Sequence, residues 1–228
     1  METAKIFLSE ERGVVNLEWF RSYNTFNFGN YQHEYKSPVN RLYMLNDDTL
    51  AGGKSLNMEI TEDSMLILLP VVGAVTYRDS EGNNCMTEAG CLQMITLPAG
   101  SSYTIANQYS DDLVNFLQFC IKLDHTIPRS ILQNFLFDID EHRNSFVSAT
   151  MEAGVSFHIA KVGGRKEAAL QFSSGDDNVV FAFVIEGAFE LEERLLQPRD
   201  GLALWNCRQA EMEALSNDAI IFLLEMKG

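Results

Sequence analysis

The sequence is short of histidine and of positive charge. Its 228 residues include four histidines, and none of them lies between His33 and His125. Lysine and arginine total 17 against 32 aspartates and glutamates, which gives a net charge of −15. A surface this acidic repels phosphate backbones, and no local run of basic residues offsets it. We therefore predict no direct binding to nucleic acid.

Long apolar runs and paired cysteines are also missing. The stretch METAKIFLSEERG has no apolar core of signal-peptide length, and no later run approaches the ~20 apolar residues of a membrane span. The four cysteines stand apart without a CxxC pair, which favours reduced thiols in a chain of this length. We expect a cytoplasmic protein that does not associate with membranes.

Patterning typical of β-strands is abundant. Runs such as MLILLPVVGAVTYRD, CLQMITLPAG and LVNFLQFCIKL are rich in β-branched, aliphatic and aromatic residues. Turn sequences such as SEGNN separate these runs at intervals of roughly 8–12 residues, which is typical of a sandwich or a barrel. The pattern predicts an all-β fold.

The second half of the chain repeats the first. VFAFVIEGAFELEE matches LILLPVVGAVTYRD, and AIIFLLEM matches LVNFLQFCIKL as a closing strand. A repeat of this size indicates two similar domains, which we place at residues 1–125 and 146–228. Residues 126–145 lie between them and contain IPRSILQNFLF, whose Pro128 and apolar spacing predict a short helical linker.

Several stretches, taken in their order and spacing, resemble the pirin-like bicupins. These stretches are ERGVVNLEWFRSYNTFNFGNY, RLYMLNDDTLAGG, GAVTYRDSEGN, LQMITLPAG and, near the end, QPRDGLALW. The family includes quercetin 2,3-dioxygenase-type proteins. The resemblance implies a bicupin of two double-stranded β-helix (jelly-roll) barrels, with a site in the N-terminal barrel alone. It also implies a metal held there by a His-x-His pair, a later His and a Glu.

The positions of those metal ligands carry other residues in this sequence. Counting from the shared motifs puts the His-x-His pair at Glu59 and Thr61, the later His at Ile105 and the Glu at Asn107. The set offers one carboxylate and no imidazole, whereas a mononuclear iron, nickel or copper site favours imidazole nitrogen. We therefore predict no bound metal, no cofactor and no catalytic residues.

The same positions define a predicted ligand pocket. We expect strand alternation to point Glu59, Thr61 and Asn107 into the barrel, with Ile105 as an apolar wall. Two further amides join the pocket in this interpretation, Gln93 and Gln118. Such a cavity suits one small organic ligand. An equally open alternative is that these side chains fill a closed barrel.

Other conspicuous residues have structural interpretations. Asp47 and Asp48 of LNDD are expected to cap a turn. The aromatic residues Trp19, Phe26 and Phe28 are expected to pack in the core or at the domain junction.

Three functions follow from the sequence and stay open at this point. The first is a metal-free binding or regulatory module, which takes a small molecule in the N-terminal barrel or a protein partner on its acidic surface. The second is a quercetin 2,3-dioxygenase-type oxidoreductase with non-standard metal ligands. The third is a scaffold protein with filled barrels.

Overall fold

The computed structural model describes residues 4–151, 154–172 and 177–227. A short 3-10 turn at Ser9–Glu11 follows the first strand. No helix in these three ranges is long and apolar enough to cross a membrane. The described strands are, in chain order, β1 Ala4–Phe7, β2 Gly13–Asn16, β3 Phe20–Asn24, β4 Leu42–Leu50, β5 Ser55–Glu59, β6 Ser64–Val72, β7 Ala74–Asp79, β8 Asn84–Glu88, β9 Cys91–Leu97, β10 Ser102–Ala106, β11 Val114–Lys122, β12 Ile131–Leu136, β13 Val147–Met151, β14 Val155–Val162, β15 Glu167–Gln171, β16 Asn178–Glu186, β17 Phe189–Leu191, β18 Arg194–Leu196, β19 Gly201–Trp205, β20 Gln209–Ala214 and β21 Ala219–Lys227.

The strands form two compact units, each built from two sheets. Gly13–Phe137 forms the unit called here the N-terminal barrel. Its sheets have the orders β12-β9-β6-β11-β4-β3-β2 and β5-β10-β7-β8. The other unit, called the C-terminal barrel, comprises residues 4–12 and the described part of 138–228. Its sheets have the orders β1-β19-β16-β21-β14-β13 and β15-β20-β17-β18. The predicted all-β fold and the predicted duplication are both confirmed.

The start of the chain belongs to the C-terminal barrel. Strand β1 pairs antiparallel with β19, with Ala4 opposite Leu204 and Phe7 opposite Gly201. Ser9 donates its backbone N–H to the Asp200 carboxylate at 2.7 Å. The structural division therefore falls after Arg12 and after Phe137, whereas the sequence-based division placed residues 1–125 together.

Each barrel packs an apolar core between its two sheets. In the N-terminal barrel, Leu66 and Phe116 of the larger sheet meet Tyr77 and Ile105 of the smaller one. Phe26 is buried, and Trp19 and Phe28 pack against the core as partly buried rings, as predicted for aromatic residues of this stretch. The C-terminal core is made in the same way from β14, β16, β19 and β21 on one side and β17 and β20 on the other.

A glycine marks the same turn in both barrels. Gly73, between β6 and β7, has φ +78°, and Gly187, between β16 and β17, has φ +72°. A Cβ at Gly187 would lie 2.7 Å from the Cβ of Ala219, which leaves no room for a side chain. Positive φ and close approach both require glycine here. The two glycines therefore mark equivalent positions in the two copies of the repeat.

The predicted linker helix was wrong. Residues of IPRSILQNFLF form strand β12, which pairs antiparallel with β9 from Ile131 opposite Thr96 to Leu136 opposite Cys91. Leu132 packs against the N-terminal core, while Ile131 and Leu136 are exposed. The free hydrogen-bonding edge of β9 favours a strand, and six residues of apolar spacing do not separate a helix from a strand.

Candidate functional site: a polar row inside the N-terminal barrel

Two of the predicted pocket residues lie on the outside of the barrel. Strand β5 ends at Glu59, and both Glu59 and Thr61 are exposed. Leu56, Met58 and Ile60 pack against the core instead. The prediction that Glu59 and Thr61 point into the barrel was therefore wrong. In this alternating segment the apolar residues occupy the inner face, and Glu59 and Thr61 occupy the outer face.

The other two positions are inside but do not suit a metal. Ile105 is fully buried in the core. Asn107 is 2% exposed, and its Nδ2 donates to the carbonyls of Leu50 at 3.0 Å and Asp112 at 2.7 Å. Its Oδ1 accepts the backbone N–H of Tyr109 at 3.0 Å. Asn107 thus holds together the backbone segments around it and has a structural role.

The residues at the family's ligand positions do not fit a transition metal. They supply one exposed carboxylate, a buried alkyl group and an amide whose donor and acceptor atoms are already used. Over residues 4–151, 154–172 and 177–227, no group of three or more His, Cys, Asp or Glu side chains is arranged to hold a metal ion. A mononuclear site would need further nitrogen or carboxylate ligands.

The two predicted glutamines belong to a row of amides that crosses the larger sheet. Gln93 lies opposite Leu68, Leu68 opposite Gln118, and Gln118 opposite Asn46. Asn46 in turn lies opposite Asn24. Directly paired residues project from the same face of a sheet, so these side chains share the inner face of the barrel. We call Gln93, Gln118, Asn46 and Asn24 the amide row.

Hydrogen bonds join Gln118 of the amide row to a carboxyl group and a phenol, whereas Gln93 donates to Asn134 Oδ1 at 3.0 Å. Tyr103, on the opposite sheet, donates its hydroxyl to Gln118 Oε1 at 2.8 Å. Gln118 Nε2 donates to Asp48 Oδ2 at 2.6 Å. Asn24 Nδ2 donates to Asn46 Oδ1 at 2.8 Å and to Ser22 Oγ at 3.0 Å. The result is a polar network in the centre of an apolar barrel.

Asp48 was expected to cap a turn, and that prediction was wrong. Asp47 and Asp48 lie within strand β4, and Asp48 is fully buried two residues beyond Asn46. Burial raises the pKa of Asp48 to about 7, against the lowering effect of hydrogen bonds from Ser22 and Gln118. Its carboxyl group therefore changes charge near neutral pH.

Three acceptors, two in this network and one on Gln93 beside it, have no hydrogen-bond partner among the described residues. They are Asp48 Oδ1, Asn24 Oδ1 and Gln93 Oε1, all on side chains that are fully buried. An unsatisfied buried polar atom costs about 1–3 kcal/mol. The arrangement is therefore suited to receive donors from outside the chain, namely water or a ligand with hydroxyl or amino groups.

Sequence reasoning found part of this network and missed the rest. It named Gln93 and Gln118 and overlooked Asp48 and Tyr103. Asn46 and Asp48 alternate in YMLNDDTL with the core residues Met44 and Leu50, so the period of two already placed them on the inner face.

A second feature lies on the outer face of the smaller C-terminal sheet. A depression of about 790 Å³ is lined mainly by glutamates. Glu213 lies opposite Glu167 on one neighbouring strand and opposite Glu190 on the other. Like charges at directly opposed positions repel, so this row destabilises the sheet.

Comparison with known proteins places the fold. The family model of the quercetinase C-terminal cupin domain matches residues 142–226. Quercetin 2,3-dioxygenase of Escherichia coli (strain K12) is 21% identical over 218 residues, which cover 93% of this chain and 94% of that protein. The structure of YhhW from Escherichia coli superposes with a TM-score of 0.86 at 19% identity, covering 98% of this chain and 97% of that one. A structure of bacterial pirin YhhW in complex with nickel(II) gives a TM-score of 0.85 at 18% identity, with coverage of 98% and 99%.

The duplicated two-sheet barrel and these neighbours show that the chain has the bicupin fold. The match to the C-terminal domain and the relatives that span nearly the whole chain are consistent with each other. They confirm the resemblance that the sequence motifs indicated: the chain is similar to pirin-like and quercetin 2,3-dioxygenase-type proteins, and its residues 142–226 match the quercetinase C-terminal cupin domain.

Proposed function

We propose that this bicupin is a metal-independent binding or regulatory module. In this proposal the N-terminal barrel takes a small organic molecule at the amide row and Asp48. The supporting observation is the set of three buried, unpartnered acceptors around Gln118 and Asp48. Ligand pockets commonly combine an apolar wall with a few convergent polar groups, and this barrel has both.

The chemistry of the network narrows the class of ligand. All three free atoms are oxygen acceptors, so a ligand must bring donors, as a polyol, a polyphenol or an amine does. An ammonium group would favour the ionised form of Asp48 and lower its pKa from about 7. A ligand with neutral hydroxyl donors would bind both the protonated and the ionised form of Asp48.

A ligand screen by thermal unfolding tests this proposal. We expect a subset of polyols, polyphenols or amines to raise the melting temperature, because a ligand at 100 times its Kd stabilises the folded state by about 2.7 kcal/mol. Asp48→Asn should reduce the shift given by the same compound. Glu190→Gln, on the outer face of the C-terminal barrel, is the matched control and should retain it.

The scaffold interpretation makes the opposite prediction for that screen. In the scaffold interpretation, water satisfies the free acceptors of the polar network and side chains fill the rest of the barrel. No compound then raises the melting temperature of the wild type more than it raises that of Asp48→Asn. That outcome would reject the binding proposal and leave assembly as the function.

A second candidate function is quercetin 2,3-dioxygenase-type activity, which is favoured by the names of the relatives. It requires metal ligands other than the family's set. Purified protein would then retain stoichiometric nickel, iron or copper after gel filtration and consume quercetin. We expect neither result, and Glu59→Ala would abolish both if Glu59 were a ligand.

The cellular setting completes the proposal. Cys85, Cys91, Cys120 and Cys207 are all free thiols, which favours a reducing compartment such as the cytoplasm. A protein partner for the acidic outer face of the C-terminal barrel remains a further proposal, and a pull-down compared between wild type and Glu190→Gln would examine it.

A further inference from the structure

A polar cluster lies on the mainly apolar inner face of the larger sheet in the C-terminal barrel. Ser148 on β13 lies directly opposite His158 on β14. Glu225 on β21 lies opposite Ser156, two residues from His158 along β14. Since paired residues and residues two apart share a face, the three side chains project to the same side of the larger sheet.

The contacts run in series from a serine to a histidine to a glutamate. Ser148 Oγ lies 2.7 Å from His158 Nδ1. On the far side of the ring, His158 Nε2 lies 3.8 Å from Glu225 Oε2. His158 is 7% exposed and Glu225 is 1% exposed, whereas Ser148 is exposed. A reagent can therefore reach the hydroxyl while the base and the acid stay out of water.

The environment keeps the imidazole neutral. Burial lowers the pKa of His158, and the nearby Glu225 carboxylate only partly opposes this. The Phe172 ring meets the imidazole edge-on with 6.0 Å between ring centroids. When Ser148 donates to Nδ1, the ring proton resides on Nε2 and faces Glu225. No other partner for Nε2 is found in the described residues.

We propose that Ser148 and His158 form a catalytic nucleophile–base pair, positioned by Glu225, that hydrolyses small carboxylic esters. The serine–imidazole contact meets the geometric requirement for an activated serine, a nucleophile–base hydrogen bond of 2.6–3.2 Å. Glu225 lies beyond hydrogen-bond distance at 3.8 Å and acts on the ring through its charge. This activity is independent of ligand binding in the N-terminal barrel.

The chemical steps balance without a cofactor. Ser148 Oγ forms a bond to the ester carbonyl carbon while its proton passes to His158 Nδ1. The alcohol leaves as the ester C–O bond breaks, and it takes that proton from the imidazolium. Water then attacks the acyl-serine, gives a proton to His158, and releases the carboxylic acid as the proton returns to Ser148 Oγ. Glu225 stabilises the transient positive charge on the ring.

The sheet edge supplies groups that suit the negative charge formed on the carbonyl oxygen. Strand β13 is the last strand in its sheet order and pairs with β14. In an antiparallel pair, alternate backbone N–H groups of an edge strand point away from its partner. Such donors can stabilise an oxyanion next to Ser148.

Acetylation of the full-length protein by p-nitrophenyl acetate tests the proposal. We expect peptide mass spectrometry to find the acetyl group on Ser148, with release of p-nitrophenol. The rate should rise with pH as His158 loses its proton, with a midpoint below the ordinary histidine value. Ser145 is the matched control, because it is exposed and donates to a backbone carbonyl rather than to an imidazole.

Variants separate a catalytic role from a structural one. His158→Gln should lower Ser148 acetylation by about a hundredfold, the usual contribution of a general base, while Ser145 reacts unchanged. Glu225→Gln should lower the rate and move the midpoint of its pH profile further down, because the ring loses its anionic neighbour. The proposal is rejected if wild-type Ser148 reacts no faster than Ser145. It is also rejected if its rate does not depend on pH. Both results come from unmodified protein, so neither depends on whether a variant folds.

Discussion

The two barrels share a fold and differ in what they enclose. Matching their strands from the Gly73 and Gly187 turns pairs four polar residues of the N-terminal barrel with apolar residues in the C-terminal barrel, whereas Asn46 and Asn24 match the polar His158 and Ser148. The corresponding pairs are Asp48 with Ala160, Gln118 with Leu223, Gln93 with Leu202, and Tyr103 with Ala210.

This difference shows that the fold does not demand polar side chains at the positions of Asp48, Gln118, Gln93 and Tyr103. Leu223 and Ala160 are fully buried in a continuous apolar core, and that barrel has the same two-sheet architecture. Apolar residues of similar shape are commonly as stabilising as a buried polar group, or more so. The proposed ligand would account for the polar residues at these four positions. The substitutions below test the comparison from the largest expected effect to the smallest.

Placing an acid in the apolar barrel should have the largest effect. Ala160→Asp puts a carboxyl group into a core with no amide at the Leu223 position to receive it. We expect a loss of more than about 3 kcal/mol in the free energy of unfolding, measured by urea denaturation, because an uncompensated buried charge is strongly unfavourable. Ala89→Asp, at an exposed turn, should change it by less than about 0.5 kcal/mol. Equal losses in the two variants would contradict the comparison.

Asp48 should make stability depend on pH. Its pKa is about 7 in the folded state and near 3.8 when unperturbed, so between these values the folded state holds a proton that the unfolded state has released. Stability therefore falls as pH rises from about 4 to 7, by up to about 1.4 kcal/mol per pH unit. Asp48→Asn should flatten this dependence in urea unfolding at pH 4.5, 6 and 8. Asp124→Asn, in an exposed ion pair, should not. If the free energy of unfolding depends on pH in the same way in wild type and Asp48→Asn, Asp48 is not the group responsible.

Removing one hydroxyl from the network should have an intermediate effect. Tyr103→Phe leaves Gln118 Oε1 without its donor at a fully buried site, and we expect a loss of about 1–2 kcal/mol in urea unfolding. Tyr77→Phe is the matched control, since the two rings stack at 5.8 Å and its hydroxyl bonds to the partly exposed Asp79. The comparison fails if Tyr77→Phe costs as much as Tyr103→Phe.

Relieving repulsion on the outer C-terminal sheet should give the smallest effect. Glu190 lies directly opposite Glu213, so Glu190→Gln should stabilise the protein by about 0.2–1 kcal/mol at low salt. The gain should shrink at high salt, because screening weakens the repulsion. Glu34→Gln, at another exposed position, should be neutral. Both variants are compared by their melting temperatures at two ionic strengths. A gain in stability that does not change with salt would rule out charge repulsion as its cause.

The strands and their duplication could be predicted from the sequence because their signal is local and periodic. The linker was mispredicted because the partner of Ile131–Leu136 is β9, some 40 positions earlier in the chain. The residues of a six-residue segment do not indicate a pairing partner that distant in the sequence.

The candidate site was predicted only in part, for a related reason. Counting from motifs predicted that Glu59 and Thr61 point inward, but the burial of Leu56, Met58 and Ile60 decides which face of the segment is the inner one. The link from Tyr103 through Gln118 to Asp48 joins three strands on two sheets, and only their register brings these residues together. A single sequence does not specify that register.

The position of β1 has a consequence for how the protein is made. Residues 4–7 are synthesised nearly 200 residues before their partner β19. At 5–20 residues per second this interval lasts roughly 10–40 seconds. During that time the N-terminal barrel is free to fold while the leading segment waits, and a segment that waits is able to complete a neighbouring nascent chain instead of its own.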